Sequence, residues 1–374
     1  MDFIRPAWVE IDLGKLKYNF LQLRKLVGDR KIIGVVKADA YGHGAERVSL
    51  LLEKLGVYAL ATASLEEALV LRKHGVSVPI LVLGYVYPEA LPIAAKNNVC
   101  VTLFDKDFVK RLKEYKGEQT LNVHINVDTG MGRIGIMPKE AVETSKIIMQ
   151  LPKVRLHGLY THFSTADSDL SFAKHQLTNF QNLLEQLREI GIRPPVIHSA
   201  NSAAIINFKE SYFDAVRPGI ILYGLSPFDY PIDTFKPVMS FKARIVYVKK
   251  VKPGRSISYG RTFISEKEMT LATIPVGYAD GLPRALSNIG EVLVKGRRAK
   301  IVGRVTMDQT VIDVTDFPYI HPGNEVVIIG KQGNEEINAM DIAKKIGTIN
   351  YEIVSRIGKR VKRIFKEEED GEEV

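Results

Sequence analysis

Ile32-Ile33-Gly34-Val35-Val36-Lys37-Ala38-Asp39-Ala40-Tyr41-Gly42-His43-Gly44 is the stretch from which the fold of this chain is read. Apolar or small residues run directly into a lysine. A run of this kind, rich in Ile and Val, suits a strand buried on both faces, and the Gly-His-Gly turn is where such a strand ends. Lys37 then sits at the strand's carboxyl end. Burial there disfavours the ammonium form, so the amine can lose its proton near neutral pH and act as a nucleophile or form a Schiff base. The plain alternative is a lysine whose ammonium snorkels out of the strand end, and periodicity alone leaves both open.

Outward from this strand, short apolar runs alternate with longer amphipathic ones between residue 30 and about residue 225. Strands are expected at 32–36, 58–62, 79–83, 100–103, 121–127, 156–162, 196–198 and 214–217. Helices are expected at 46–55, 65–73, 89–96, 106–115, 139–151, 172–190 and 203–208. Strand-helix repeats in this number predict an α/β architecture with an N-terminal (β/α)8, TIM-like barrel; an open doubly wound sheet is the alternative. No Gly-x-Gly-x-x-Gly opens a helix after an early strand, which counts against that alternative. Lys37, the run Asp128 to Arg133, His162, the run His198 to Ser202 and Arg217 all fall at or just beyond carboxyl ends of expected strands, the rim where a barrel carries its chemistry. After Asp229 the character changes to β-rich runs at 238–251, 269–276, 291–294, 299–302, 310–314 and 325–329, with helices only at 340–345 and 352–359. The expected division is a barrel over 1–230 and a mainly β C-terminal domain over 231–374, with the first ten or so residues free to pack on the second domain.

With 374 residues, 45% hydrophobic and 25% charged, the chain can bury a sizeable core in each of two domains. No apolar run is long enough to span a membrane, and the early charges Asp2, Arg5, Glu10, Asp12, Lys15 and Lys17 leave no signal-peptide core, so a cytoplasmic location is expected. Cys100 is the only cysteine, which excludes an intrachain disulfide and a multi-cysteine metal site; no metal is expected. The net charge of +9 is spread along the chain without a nucleic-acid motif, so no nucleic-acid partner is expected. The C-terminal basic and acidic blocks read as a solvated terminus.

The nine residues Val36-Lys37-Ala38-Asp39-Ala40-Tyr41-Gly42-His43-Gly44 resemble the pyridoxal-phosphate attachment site of the alanine racemases. The resemblance extends over nearly the whole chain in at least five motifs. It implies pyridoxal 5'-phosphate attached to Lys37, with phosphate contacts from Tyr41, Tyr351, the Ser202 hydroxyl and the Gly219 and Ile220 N–H groups. Taken alone, Arg217-Pro218-Gly219-Ile220 is a strand end and turn; in the family the matching arginine faces the pyridine nitrogen. A guanidinium is donor-only, so the ring nitrogen would stay unprotonated and act as a weaker electron sink, limiting side reactions. His198 would support Arg217, and His162 belongs to the same cofactor-binding group.

Ser258-Tyr259-Gly260-Arg261-Thr262-Phe263 resembles the segment bearing the family's catalytic tyrosine, which reaches the partner subunit's cofactor. The implied protein is a homodimer interconverting L- and D-alanine, a supply of D-alanine for cell-wall peptidoglycan. Lys37 would take the proton from D-alanine and Tyr259 from L-alanine on the opposite face. The loop Asp128 to Gly135 matches the substrate side, where Arg133 would steady the carboxylate. Met307 would meet the same carboxylate from the partner, and Tyr278 would line the access channel. One departure stands out: many family members carry a carbamylated lysine where this chain has Asn126, which cannot supply that negative charge. Arg133 is therefore expected to be oriented by Asn126 together with a bound anion such as chloride. The related barrel-plus-β-domain decarboxylases, a racemase of broader range and a non-catalytic single-barrel cofactor-binding protein are the competing readings. The decarboxylases put a carboxylate at the pyridine nitrogen and a cysteine near the substrate, where this chain offers Arg217 and a Cys100 on an early strand.

Overall fold

The chain is described by a computed structural model over residues 5–367. Eight strands close a parallel barrel: Lys31–Val35, Ala59–Thr62, Ile80–Val82, Val99–Leu103, Leu121–Val127, Val154–Thr161, Val196–His198 and Ala215–Val216, with the last pairing back onto the first. The strands Ala59–Thr62, Ile80–Val82 and Val99–Leu103 are buried at every position, because side chains on one face fill the barrel and those on the other meet the helices. The closed barrel followed by a mainly β region is the architecture expected from the sequence, and the doubly wound alternative falls away.

Among the helices outside the barrel, two show how side-chain caps start them. Asp169 accepts the Phe172 N–H to open Leu170–Glu189, and Asp105 accepts the Asp107 N–H to open Lys106–Leu112. The long helix buries Ala173, Gln176, Leu177, Phe180, Leu183 and Leu187, a stripe at three- and four-residue spacing. Each large apolar member is worth roughly 1.5–3 kcal/mol in transfer free energy. Near the N-terminus the structure differs from expectation in two places. The helix Leu13–Val27 has no counterpart in the sequence reading. The stretch after Lys37 is not a simple Gly-His-Gly turn: one helical turn covers Lys37–Gly42, and Ala38, Asp39, Ala40 and Tyr41 have φ of 52 to 55°.

Two compact units are present. One comprises Lys17–Ala40 and Ala45–Lys236 and contains the barrel. The other comprises Met1–Leu16, Tyr41–Gly44 and Pro237–Val374. The sequence reading draws its boundary at 230/231. In the second unit Ala7–Asp12 pairs antiparallel with Met239–Arg244 and parallel with Lys362–Lys366, inside a seven-stranded sheet. The single expected run 238–251 is two strands in different sheets, since Tyr247–Val251 pairs with Met269–Ile274. Helix Ala339–Ile346 carries an Asn338–Asp341 capping box and ends on left-handed Gly347. No helix among the described residues is long and apolar enough to cross a membrane. From residue 368 the acidic run lies outside the described residues.

Candidate active site

In the barrel unit, Lys37 follows the first strand and is half-buried. Burial first, and the nearby Arg133 charge second, hold its amine below the usual lysine range, with Glu67 opposing. The left-handed turn that begins at Lys37 costs about 1–2 kcal/mol per non-glycine residue. Specific hydrogen bonds hold it. Glu67, on the helix Leu65–Lys73, accepts the N–H of Ala38 through Oε1 at 2.8 Å and that of Ala63 through Oε2 at 2.8 Å. Asp39 Oδ1 accepts the Ala45 N–H at 2.8 Å.

Arg217, one residue past the last strand, is buried without a carboxylate partner among the described residues. Its Nη2 donates to the carbonyls of Thr161 and Ser199, both at 2.9 Å, and lies 3.3 Å from His162 Nδ1. Its Nη1 donates to His198 Nδ1 at 2.6 Å. These bonds use three of the five guanidinium N–H groups, leaving two that can donate to a further acceptor. Burial lowers its pKa to about 10, so it stays cationic at neutrality. The same burial, joined by the Arg217 charge, keeps His162 and His198 well below the ordinary histidine value, hence neutral. Tyr160 stacks on His198 with centroids 4.8 Å apart, and the guanidinium lies over the Tyr160 ring.

Ser202 is buried at the start of helix Ser202–Asn207, and its Oγ accepts the Gly219 N–H at 2.9 Å. Ser202 therefore retains an O–H to donate. Ile220 opens the turn Ile220–Tyr223, where a first N–H has no partner within the turn. Arg133 is exposed in the loop after Leu121–Val127. That loop is organised by Asp128, whose carboxylate accepts the Gly130 N–H at 2.9 Å and the Gly132 N–H at 3.1 Å. Asn126 donates to the carbonyl of Ile134, the residue after Arg133, at 3.3 Å, and Arg133 has no carboxylate partner among the described residues. Thus Lys37, His162, His198, Ser202, Arg217, Gly219 and Ile220 belong to one barrel unit, and contacts or charge effects link Lys37, Arg133, His162, His198 and Arg217.

The remaining expected residues belong to the second unit. Tyr41 is buried, which raises the pKa of its phenol, and its ring centroid is 6.1 Å from that of Tyr351. Gly42 has φ 82°, and a Cβ there would come within 2.3 Å of the Val354 carbonyl, so only glycine fits this close approach. Tyr259 is 73% exposed at the tip of the hairpin Ser256–Ile257/Phe263–Ile264, on a turn with φ of 63° at Ser258, 70° at Gly260 and 50° at Arg261. Tyr278 and Met307 are also exposed and adjoin each other: the Tyr278 N–H meets the Thr306 carbonyl and the Ala279 N–H that of Met307. Buried Asp280 pins this segment by accepting from Arg5, Arg360 and the Gly277 N–H.

Sequence reasoning passed over His124, His157, Tyr160, Glu67 and Gln176. The signal for His124 was the alternation in His124-Ile125-Asn126, which puts two polar side chains on one face of a strand. Gln176 is buried on the long helix and fixes the segment after the sixth strand through the His162 carbonyl and Ser164.

Comparison with known proteins bears on this geometry. The profile described as "Alanine racemase, N-terminal domain" matches residues 11–227, and "Alanine racemase, C-terminal domain" matches residues 238–365. The chain is 48% identical to an alanine racemase of Halothermothrix orenii over 368 residues, 97% of each chain. It is 46% identical to alanine racemase 2 of Caldanaerobacter subterraneus subsp. tengcongensis, covering 97% of this chain and 96% of that one. Among solved structures, the alanine racemase of Bacillus anthracis with bound L-Ala-P superposes with a TM-score of 0.91 at 41% identity, covering 98% of this chain and 96% of that one.

Proposed function

From the premise that this chain belongs to the alanine racemase family, we propose that it interconverts L- and D-alanine, with Lys37 and Tyr259 as the two acid-base groups and pyridoxal 5'-phosphate as cofactor. The observation that carries this reading is the presence in one unit of a half-buried lysine, its amine held below the usual lysine range by burial, and a buried arginine that has donors to spare. These residues fit the cofactor: Lys37 can bond its aldehyde carbon, Arg217 can donate to its ring nitrogen, and Ser202 and Ile220 can donate to its phosphate. Tyr41 and Tyr351 are assigned to the phosphate as well. When bound, the cofactor supplies an electron sink for the charge that develops at the α-carbon. Because Arg217 only donates and keeps its proton near neutrality, a ring nitrogen facing it would have to accept and so stay unprotonated, which suits proton transfer over transamination or decarboxylation.

Lys37 holds and moves the proton on one face; the Tyr259 phenol does so on the other. An exposed tyrosine on a turn of positive-φ residues supports its presentation to a second chain, so we assign a homodimer in which Tyr259, Met307 and Tyr278 serve the partner's site. Cys100 is buried on a barrel strand with its thiol pushed up to about 12 by burial, which disfavours the decarboxylase alternative. Arg133, steadied by the Asp128-organised loop, is assigned to the substrate carboxylate, and a small anion such as chloride beside Asn126 and Arg133 to the charge that Asn126 lacks. In the cell we place the reaction in the cytoplasm, supplying D-alanine to peptidoglycan. The test is turnover of both alanine enantiomers by purified protein loaded with pyridoxal phosphate, against serine and lysine, with chloride varied. Fast racemisation of alanine, stimulated by chloride, is expected; preference for lysine or release of carbon dioxide would overturn the assignment.

A further inference from the structure

The barrel interior of a typical (β/α)8 protein is filled by branched apolar side chains. Here a polar line crosses it. His198 Nε2 lies 3.0 Å from His124 Nδ1, and His124 Nε2 lies 3.1 Å from His157 Nδ1. With the Arg217–His198 bond, this makes an unbroken chain from a buried guanidinium to a half-buried histidine.

The local fold is arranged for it. Strands Leu121–Val127 and Val154–Thr161 pair Val123 with Leu156 but His124 with Gly158, so His157 is the extra residue of a β-bulge. Opposite His124 stands Gly158, where a Cβ would lie 2.2 Å from His124 Nδ1. Any side chain at this position would evict the imidazole.

The chain has only one polarity. Arg217 can only donate, so His198 Nδ1 must accept. A neutral His198 then carries its proton on Nε2 and donates to His124 Nδ1. His124 in turn carries its proton on Nε2 and donates to His157 Nδ1, which leaves His157 as the Nε2–H form. Every tautomer is set from the arginine outward, and a break at His124 or His157 strands a donor inside the barrel. Cys100 Sγ lies within 4.8 Å of nitrogens of His124 and His157, a set that could hold a metal. Both nitrogens of His124 are already committed to hydrogen bonds, however, which favours the hydrogen-bonded reading.

We infer that His124 and His157 are positioning residues for Arg217, holding His198 in its Nε2–H tautomer so that the guanidinium keeps a fixed orientation toward the reacting centre. The part of this that concerns the reacting centre rests on the function proposed above; the tautomer chain does not.

The experiment uses full-length, cofactor-loaded protein labelled with 15N at histidine, and reads tautomers from two-bond proton–nitrogen correlations near pH 7, with His→Asn variants giving the assignments. His198, His124 and His157 are expected to carry the proton on Nε2. In His124→Leu, His198 should lose its single tautomer, and kcat should fall by about tenfold or more with KM changed by less than about threefold, the consequence of a buried donor without a partner. His124→Asn, whose side-chain oxygen accepts near the position of Nδ1, should recover the His198 signal and most of kcat. Should His124→Leu not fold, His157→Leu and His157→Asn repeat the comparison at the half-buried end. A wild-type His198 protonated on Nδ1, leucine variants with unchanged signals and kcat, or asparagine variants as impaired as leucine would each overturn the inference. The tautomer measurement needs no turnover, so it separates failure of the chain from failure of the racemase reading.

Discussion

Replacing Gly158 by alanine should damage this barrel far more than a single methyl normally does. The added Cβ would sit 2.2 Å from His124 Nδ1, 2.4 Å from Cε1 and 2.7 Å from Cγ, against 3.4–4 Å for ordinary contact. His124 cannot give way, since its buried ring is held between His198 and His157. Moving it forfeits two hydrogen bonds at about 1 kcal/mol each, and the orphaned His198 N–H and overpacking each add about 1–3 kcal/mol. Because these terms overlap, a net loss of about 3–5 kcal/mol is expected. The matched control is Gly34→Ala in the first barrel strand, where the new Cβ would meet Leu52 Cδ1 at 3.2 Å. There the neighbour need give by only a few tenths of an ångström and alanine costs the unfolded chain less entropy on ordering, so the change should stay within about 1–2 kcal/mol of zero, well short of the loss at Gly158. Urea unfolding followed by far-ultraviolet circular dichroism, with amide exchange in Leu121–Val127 and Val154–Thr161, compares the two; Trp8 fluorescence reports on the other unit, where that residue resides. Equal stability of the two variants, or equal exchange in those strands, would refute the argument.

Two further outcomes follow from the geometry. Asp128→Ala removes the acceptor for the Gly130 and Gly132 N–H groups and loosens the loop bearing Arg133; KM for alanine should rise by about tenfold while kcat changes little, as steady-state kinetics will show. Burial alone would raise the Asp280 carboxyl, but hydrogen bonds from Arg5, Arg360 and the Gly277 N–H outweigh it and hold it below the usual aspartate range. A depressed folded value means stability that is fully present above the unfolded pKa of about 4 and is lost as pH falls through the folded value. Trp8 fluorescence between about pH 5 and 2 should therefore show an acid-side loss that is smaller in Asp280→Asn, which is itself less stable than wild type at neutral pH.

Much of this was legible in the chain. Buried strands such as Ile80–Val82 announce themselves because both faces need apolar residues, and the rim positions of Lys37 and Arg217 follow from where such runs end. The left-handed turn over Ala38 to Tyr41 was not legible, because alanine and tyrosine have no local preference for positive φ; Glu67 and Asp39 impose it through hydrogen bonds. The histidine line was hidden for a similar reason. His157 faces His124 only because a bulge shifts the register, and a bulge is a property of two strands together. The split of 238–251 between two sheets, at Ile245 and Val246, likewise depends on pairing partners far along the sequence.

The central claim is that Lys37 and Tyr259 serve opposite faces of the α-carbon. Its most direct test is solvent deuterium entering that position in Tyr259→Phe protein given each alanine enantiomer separately. D-alanine should keep exchanging through Lys37 while L-alanine exchanges far more slowly and little of either is converted to its mirror image. Conversion at the wild-type rate, or equal loss of exchange from both enantiomers, would contradict the account.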